Sequence, residues 1–448
     1  MALLGSCNLY KKFELPVKDS QLIEAYAQAK QEAMDSTAFG NLDWHTVFTD
    51  PMLADLIEKA LANNLDLDNA RLNVDIAQAK LKGAKLSFLP SLTLAPNGAL
   101  AKVFGESDWA ATYQIPLAVN WEVDIFGKLL NAKRGAEAAL RSSQAYHQAV
   151  RSQLIAAVAT CYYTISTLES QLKLSKETAA SWSESVEVMK QLKEAGRVTE
   201  AAVVQSSAQY NSILASITDL KTALVQANNT MSLLLNTMPQ TFNISPNAYL
   251  TMPATLQGSI PLSQLAARPD VAAAEQNLAV AYYATNQARA AFYPALNIDI
   301  TGGFTNSLGG AVFNPGKWFL SLVGSLTAPL FARGQLMAGL EAAKAGQQQA
   351  LNNFETTVLS AASDVSNAMT LYVNITDKIK YLLLQSQDLV KSVEYTTELL
   401  KIGGYGTTYL EVLTAQQSLL TAQLTELDCR LSASKAVINL YQNLGGGR

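Results

Sequence analysis

Two histidines, three cysteines and a few charged clusters are the side chains in this sequence best equipped for chemistry, and their spacing argues against most of it. His45 and His147 stand far apart, with neither a His-Glu-x-x-His pattern nor a cysteine partner, so a structural or surface role is expected for both. Cys7, Cys161 and Cys429 show no Cys-x-x-Cys or other metal spacing. Cys161 and Cys429 fall in apolar helical patterns and read as buried thiols, with a disulfide left open until geometry decides it. The stretch "GGAVFNPGKW" has the wrong spacing for a phosphate loop, and Trp318 follows Lys317 where Ser or Thr is required, so a strand-to-strand loop is expected. Arg268, Pro269 and Asp270 read as a helix start rather than an ion site. Trp121, Glu122 and Asp124 in "WEVDIFGK" read as holding a strand-to-helix crossover, with pore lining as the other reading. No nucleophile with a base, no paired acids and no metal set emerges, so neither an enzyme nor a cofactor is expected.

Cys7 ends the stretch "MALLGSC", in which Leu4, Gly5 and Ser6 match a bacterial lipoprotein cleavage site. Lipidation at Cys7 is one reading and an ordinary cysteine in the N-terminal segment the other, because the charged start and long apolar segment of a full signal are missing.

The elements that would carry such residues follow from composition. A formal charge of −4 over 448 residues provides no basic footprint for nucleic acid. Charged residues are 16%, against roughly 25% in a typical soluble domain, which makes much of the surface polar but uncharged. No run approaches the roughly 18 apolar residues of a membrane-spanning helix. All 13 prolines lie outside residues 117–238 and 330–448, so each of these tracts is expected to be mostly helix. Apolar residues recur at spacings of three and four: Tyr210, Ile213, Ile217, Leu220, Leu224, Ala227, Met231 and Leu234 in the first tract, and Leu410, Leu413, Gln417, Leu420, Leu424, Leu427 and Leu431 in the second. That is a coiled-coil seam.

Gly196, and the cluster Gly403, Gly404 and Gly406, interrupt the two tracts where a left-handed residue would end a helix and reverse the chain. Each tract becomes an antiparallel hairpin, with arms of about 65 residues and on the order of 100 Å. The tracts are copies. Residues 69–92 align with 273–296 at an offset of 204, placing Phe88 on Phe292 and Pro90 on Pro294, and "GAEAA" falls on "GLEAA" at the same offset. Four strand-like segments precede the hairpins, at 91–103 and 109–123 and again at 295–307 and 318–331, each long enough to cross an outer membrane when tilted. Four strands do not close a barrel and an open edge is not tolerated in lipid, so several chains must share one. The expected organisation is an extended, lipid-anchored N-terminal segment 1–50, a first repeat 51–268 (strands about 91–123, hairpin about 128–238) and a second repeat 269–448 (strands about 295–331, hairpin about 335–444). A periplasmic coiled-coil scaffold would explain the heptads but not the strands; a hydrolase would need a constellation that is not there.

"DWHTVFTDPMLADLIEKALANNLDLDNARLNV", "FLP" and "FYP", "WEVDIFGKL", "RPDVAAAEQNL", "GYGTTYLEVLTAQQSLLTAQ" and "LYQNLGGG", in this order, resemble the TolC-type outer-membrane efflux channels in their lipoprotein branch. The resemblance runs from about Asp43 to Gly447. It implies an α+β membrane protein: a homotrimer with a 12-stranded barrel, four strands per chain, on a periplasmic tunnel of coiled-coil hairpins, lipid-anchored in the outer membrane of a Gram-negative bacterium. It further implies a periplasmic adaptor and a proton-driven inner-membrane pump as partners, and drugs, other toxic compounds or metal ions as cargo.

The adaptor would dock on the hairpin tips, Gly196, Arg197, Val198 and Thr199 in one half and Gly403, Gly404, Tyr405, Gly406, Thr407 and Thr408 in the other. Similar channels carry an acid at the position of Glu411 or three residues later, where this chain has Thr414. Glu411, with Leu410, Thr414 and Gln417, is therefore the expected pore constriction. The aromatic residue usual just before the tip glycine is absent from both halves, and the second tip is one residue longer.

Overall fold

A computed structural model describes residues 10–17, 21–32, 43–102, 105, 109–251, 268–305, 317–402 and 408–447. Helices α1 (Gln21–Glu32), α2 (Trp44–Val47), α3 (Pro51–Asn63) and α4 (Leu65–Leu86) precede strands β1 (Ser91–Leu94), β2 (Asn97–Ala101) and β3 (Ala110–Val123) and then the helical pair α5 (Lys128–Glu194) and α6 (Glu200–Leu234). The second half repeats the order with α7 (Pro269–Ala290), β4 (Ala295–Thr305), β5 (Lys317–Thr327), α8 (Gln335–Ile402) and α9 (Tyr409–Asn443). The N-terminal segment, expected to be extended, is helical over Gln21–Glu32 and Trp44–Val47.

Element lengths display the duplication directly. Helices α4 and α7 have 22 residues each, α6 and α9 have 35 each, and α5 and α8 have 67 and 68. The expected arm of about 65 residues matches the leading helices α5 and α8, and the returning helices α6 and α9 end within a few residues of the expected hairpin bounds, 238 and 444. Both stop at a left-handed reversal, at Asn236 (φ 54°) and Gly445 (φ 84°), where Thr237 N–H donates to Ser232 O and Gly446 N–H to Tyr441 O.

The spacing of the copies also widens along the chain. Pro90 and Pro294 stand 204 apart, Gly127 and Gly334, left-handed at φ +73° and +78°, stand 207 apart, and the helix caps Thr199 and Thr408 stand 209 apart. The match of "GAEAA" to "GLEAA" at 204 is thus three residues out of step with the structure. Three residues are nearly one helical turn, which is why the pattern still matched.

Packing divides the chain into two compact units, each drawing on both sequence halves. One is built chiefly from Arg71–Ala145 and Ala272–Thr357, the other from Glu24–Ala70, Tyr146–Val271 and Val358–Arg448.

The first unit holds an antiparallel sheet in the order β1/β2, β3, β4, β5. Strands β1 and β2 pair with β3 in one uninterrupted register, Leu94 opposite Leu117 and Asn97 opposite Gln114. The expected single strand is split at Ala95 and Pro96, where Ala95 N–H reaches Pro116 O at 3.2 Å and Pro116 has no N–H to return the bond. Leu92, Leu94 and Leu100 share a face with Leu117, Val119 and Trp121 of β3, Ile298, Ile300 and Phe304 of β4, and Trp318, Leu320 and Leu322 of β5. The opposite face carries Thr93, Asn97, Gln114, Asn120, Glu122, Asn297, Asp299, Thr301 and Ser325. At the crossover into α5, Trp121 Nε1 donates to Phe88 O at 3.0 Å, Lys128 pairs with Glu122 at 2.9 Å, and Asp124 Oδ2 accepts from Leu130 N–H at 2.7 Å. These contacts bear out the structural reading of "WEVDIFGK".

In the second unit Ile213, Ile217 and Met231 of the expected α6 seam are buried, and Tyr210, Leu220, Leu224, Ala227 and Leu234 are half-buried. On α9 Leu413 of the expected seam is buried and Leu420, Leu424, Leu427 and Leu431 are half-buried, Leu410 and Gln417 are exposed, and the neighbouring Val412, Ala415, Ala422, Cys429, Ala433 and Ala436 are buried as well. Cys161 and Cys429 are buried free thiols, and Cys161 Sγ donates to Ala227 O at 3.3 Å.

Arg268 ties three elements together. Its guanidinium is buried, donates to Asp270 Oδ1 and Oδ2 at 3.0 and 2.7 Å and to Asn443 O at 3.2 Å, and lies 3.4 Å from Asp364 Oδ2. Asp270 Oδ1 also accepts from Val271 N–H at 2.9 Å, so the motif starts α7 rather than binding an ion. Burial pushes the Asp270 carboxyl up, but the Arg268 hydrogen bonds and charge outweigh it and hold the carboxyl below its usual value. The interaction is therefore complete above the unfolded carboxylate pKa and is lost as pH falls through the folded one. Arg268→Ala should cost about 2 kcal/mol at pH 7, the scale of hydrogen bonds to a charged group, and less near pH 3. Helix melting by circular dichroism at both pH values measures the difference; an equal loss at both would remove Asp270 from the account.

Candidate functional site

Helix α5 ends in a tight reversal: Gly196 N–H donates to Lys193 O at 2.9 Å and Arg197 N–H to Leu192 O at 2.8 Å, with Gly196 at φ +73°. No atom lies within 4 Å of where a Cβ on Gly196 would sit, so the glycine is needed for its backbone angle and not for space. An ion pair between Lys193 and Glu200 clamps the last turn of α5 to the first of α6. Arg197 and Thr199 are exposed, but Val198, expected at the outer surface, turns inward and packs on the core below. Of the second tip, Gly403, Gly404, Tyr405, Gly406 and Thr407 lie outside the described residues, as does Cys7. Thr408, exposed, stands at the N-cap of α9 without a side-chain cap bond, as Thr199 does on α6.

Beneath the tips, Trp182 and Met189 of α5, Val203 and Ile213 of α6, and Tyr409, Val412 and Leu413 of α9 form one apolar cluster. It seats the two hairpin ends against each other. Burial pushes the Tyr409 hydroxyl up. The sequence reading missed this support, although Trp182, Val186 and Met189 recur at helical spacing on one face.

The same cluster sets the orientation of the expected constriction. With Tyr409, Val412 and Leu413 turned inward, Leu410, Glu411, Thr414 and Gln417 are left on one exposed stripe of α9, and Leu410 is 54% exposed. Thr414 Oγ1 donates to Leu410 O at 2.8 Å and Thr421 Oγ1 to Gln417 O at 2.9 Å. The threonines thus spend their hydroxyl protons on their own helix, and Glu411 supplies the carboxylate of the stripe. On α6 the position matching Glu411 at the 209 spacing is Ala202, so the acid belongs to the second half alone.

His45 lies away from the tips, 2.6 Å from Asp43 Oδ1 through Nδ1, 3.7 Å from Glu58 Oε1 through Nε2, and stacked on Trp44. His147 is half-buried on α5. Among the described residues no helix is long and apolar enough to cross a membrane.

The family model described as "Outer membrane efflux protein" matches residues 56–237 and again 261–446. The chain is 30% identical to the probable outer membrane lipoprotein SilC of Salmonella typhimurium over 424 residues, 92% of this chain and 89% of that protein. It is 28% identical to the cation efflux system protein CusC of Escherichia coli K12, over 100% of this chain and 97% of the relative. A crystal structure of CusC superposes with a TM-score of 0.83 at 26% identity, covering 91% of this chain and 95% of that one.

Proposed function

The chain belongs to the outer membrane efflux protein family, and from that premise we propose that three copies close one 12-stranded barrel above a tunnel of helical hairpins gated at Glu411. It is an outer-membrane channel subunit of an efflux system, a conduit that works with an adaptor and an inner-membrane pump. What carries the trimeric reading is the two-faced sheet. Its apolar face lies open, with Leu320 79% and Leu322 70% exposed, its polar face suits a water-filled lumen, and among the described residues no strand pairs with either edge. Two separate matches to one family model support the division into repeats 51–268 and 269–448.

The adaptor docks on Gly196, Arg197 and Thr199 and on the second glycine-rich segment, Gly403 to Thr408, and Val198 anchors the first turn from within. Cys7, in a segment resembling a lipoprotein cleavage site, is the lipid attachment point, as the name of SilC would lead one to expect. The barrel's own apolar band is the larger anchor. The pump is proton-driven, and the cargo is small toxic compounds or metal ions; the likeness to a cation efflux protein favours cations.

Native mass spectrometry of protein extracted in mild detergent tests the assembly. A species of three chains of 48.2 kDa is expected. A predominant, protease-resistant single chain would overturn the reading.

A further inference from the structure

Among the described residues the sheet has two open edges, and the internal duplication says what belongs on them. Within one chain the two halves meet where β3 pairs with β4, from Gln114 opposite Thr305 to Val123 opposite Leu296. β1 and β2 correspond to β4 at the 204 spacing, which sets Leu92 on Leu296 and Gly98 on Gly302. β3 corresponds to β5 at the 207 spacing, because Ser91 faces Asn120 as Ala295 faces Thr327. The counterpart of the β3–β4 junction is then β5 against β1 and β2. A single chain does not form it, since these strands lie on opposite edges of its sheet.

We propose that β5 of one chain pairs antiparallel with β1 and β2 of a second copy, in the register Leu322 opposite Leu100, Gly324 opposite Gly98, Leu326 opposite Pro96 and Leu330 opposite Leu92. The inference rests on the shared-barrel reading above and adds the residue-level register of its seam.

Three observations support this register. Leu92, Gly98 and Leu100 lie on the apolar face of their strand, as do Leu322, Gly324 and Leu326 on theirs, so the pairing continues one apolar face; a slip by one residue would turn Ser and Thr onto it. Ala95 gives its N–H to β3, so the alternating ladder turns the backbone groups of Leu94 and Pro96 toward the free edge. Finally, Leu330 is 98% and Leu92 66% exposed, and they occupy the positions that Val123 and Leu296 fill in the junction already formed.

Slips by two residues keep the same face, and cysteine pairs separate them. In this register Ser325 stands opposite Asn97 in a non-hydrogen-bonded pair, where Cα atoms approach to about 4.5 Å, within disulfide reach. Inside one chain the two strands are three strand spacings apart, roughly 14 Å, so any bond joins two chains. In a Cys7→Ser background, with Cys161 and Cys429 buried, mild oxidation of Asn97→Cys/Ser325→Cys should convert most of the protein to covalent trimer on a denaturing, non-reducing gel. Ala95→Cys/Ser325→Cys and Ala99→Cys/Ser325→Cys should give at least tenfold less. Stronger linking of either slipped pair overturns the register. Native-gel trimer with no linking in any pair overturns the seam while leaving the trimer standing. Single chains on the native gel overturn both.

Discussion

Leu322→Arg should all but abolish outer-membrane insertion, whereas Ser321→Arg, one residue away, should insert nearly as well as the unmodified chain. Leu322 sits in the middle of β5 on the open apolar face, paired with Ile300, while Ser321 pairs with Thr301 on the other side. An arginine facing lipid near the bilayer midplane costs about 2–4 kcal/mol; if three copies share one barrel, the total is roughly 6–12 kcal/mol, comparable to the whole stability of a domain. An arginine at position 321 points into the polar interior and stays hydrated. Membrane fractionation and heat-modifiability on gels report insertion. Equal insertion of both variants would mean that the apolar face does not meet lipid.

The second large effect concerns the stripe on α9. If three copies of α9 surround one axis with Leu410, Glu411, Thr414 and Gln417 facing it, three Glu411 carboxylates converge and form the charged ring of the constriction. Such a ring attracts cations and divalent ions. Glu411→Gln should remove most of the cation preference and the block by divalent metals. Glu411→Ala, which also removes bulk, should in addition raise the conductance of the resting channel several-fold. Trimer yield should not change in either variant, since the helix is seated by Tyr409, Val412 and Leu413 on its opposite side.

Much of this was legible in the sequence because it depends on backbone rules. Proline exclusion marked the long helices, Gly196 marked a left-handed reversal, and alternation marked the strands. What depends on three-dimensional packing was less so. On α9 the small side chains of Ala415, Ala422, Ala433 and Ala436 are buried beside half-buried leucines, and a pattern of large apolar residues does not mark small ones. Val198 looked like part of an exposed turn; only the cluster around Trp182 shows where it points. The shift from a spacing of 204 to 207 was hidden because three residues are close to one helical turn.

Single-channel recording in planar bilayers tests the central claim, an outer-membrane conduit gated at the tips, most directly. The account predicts a small, cation-preferring resting current for the unmodified trimer, a larger one for Glu411→Ala and a less selective one for Glu411→Gln. Inserted trimers that pass no current in all three proteins, or pass identical current with identical selectivity, would contradict it.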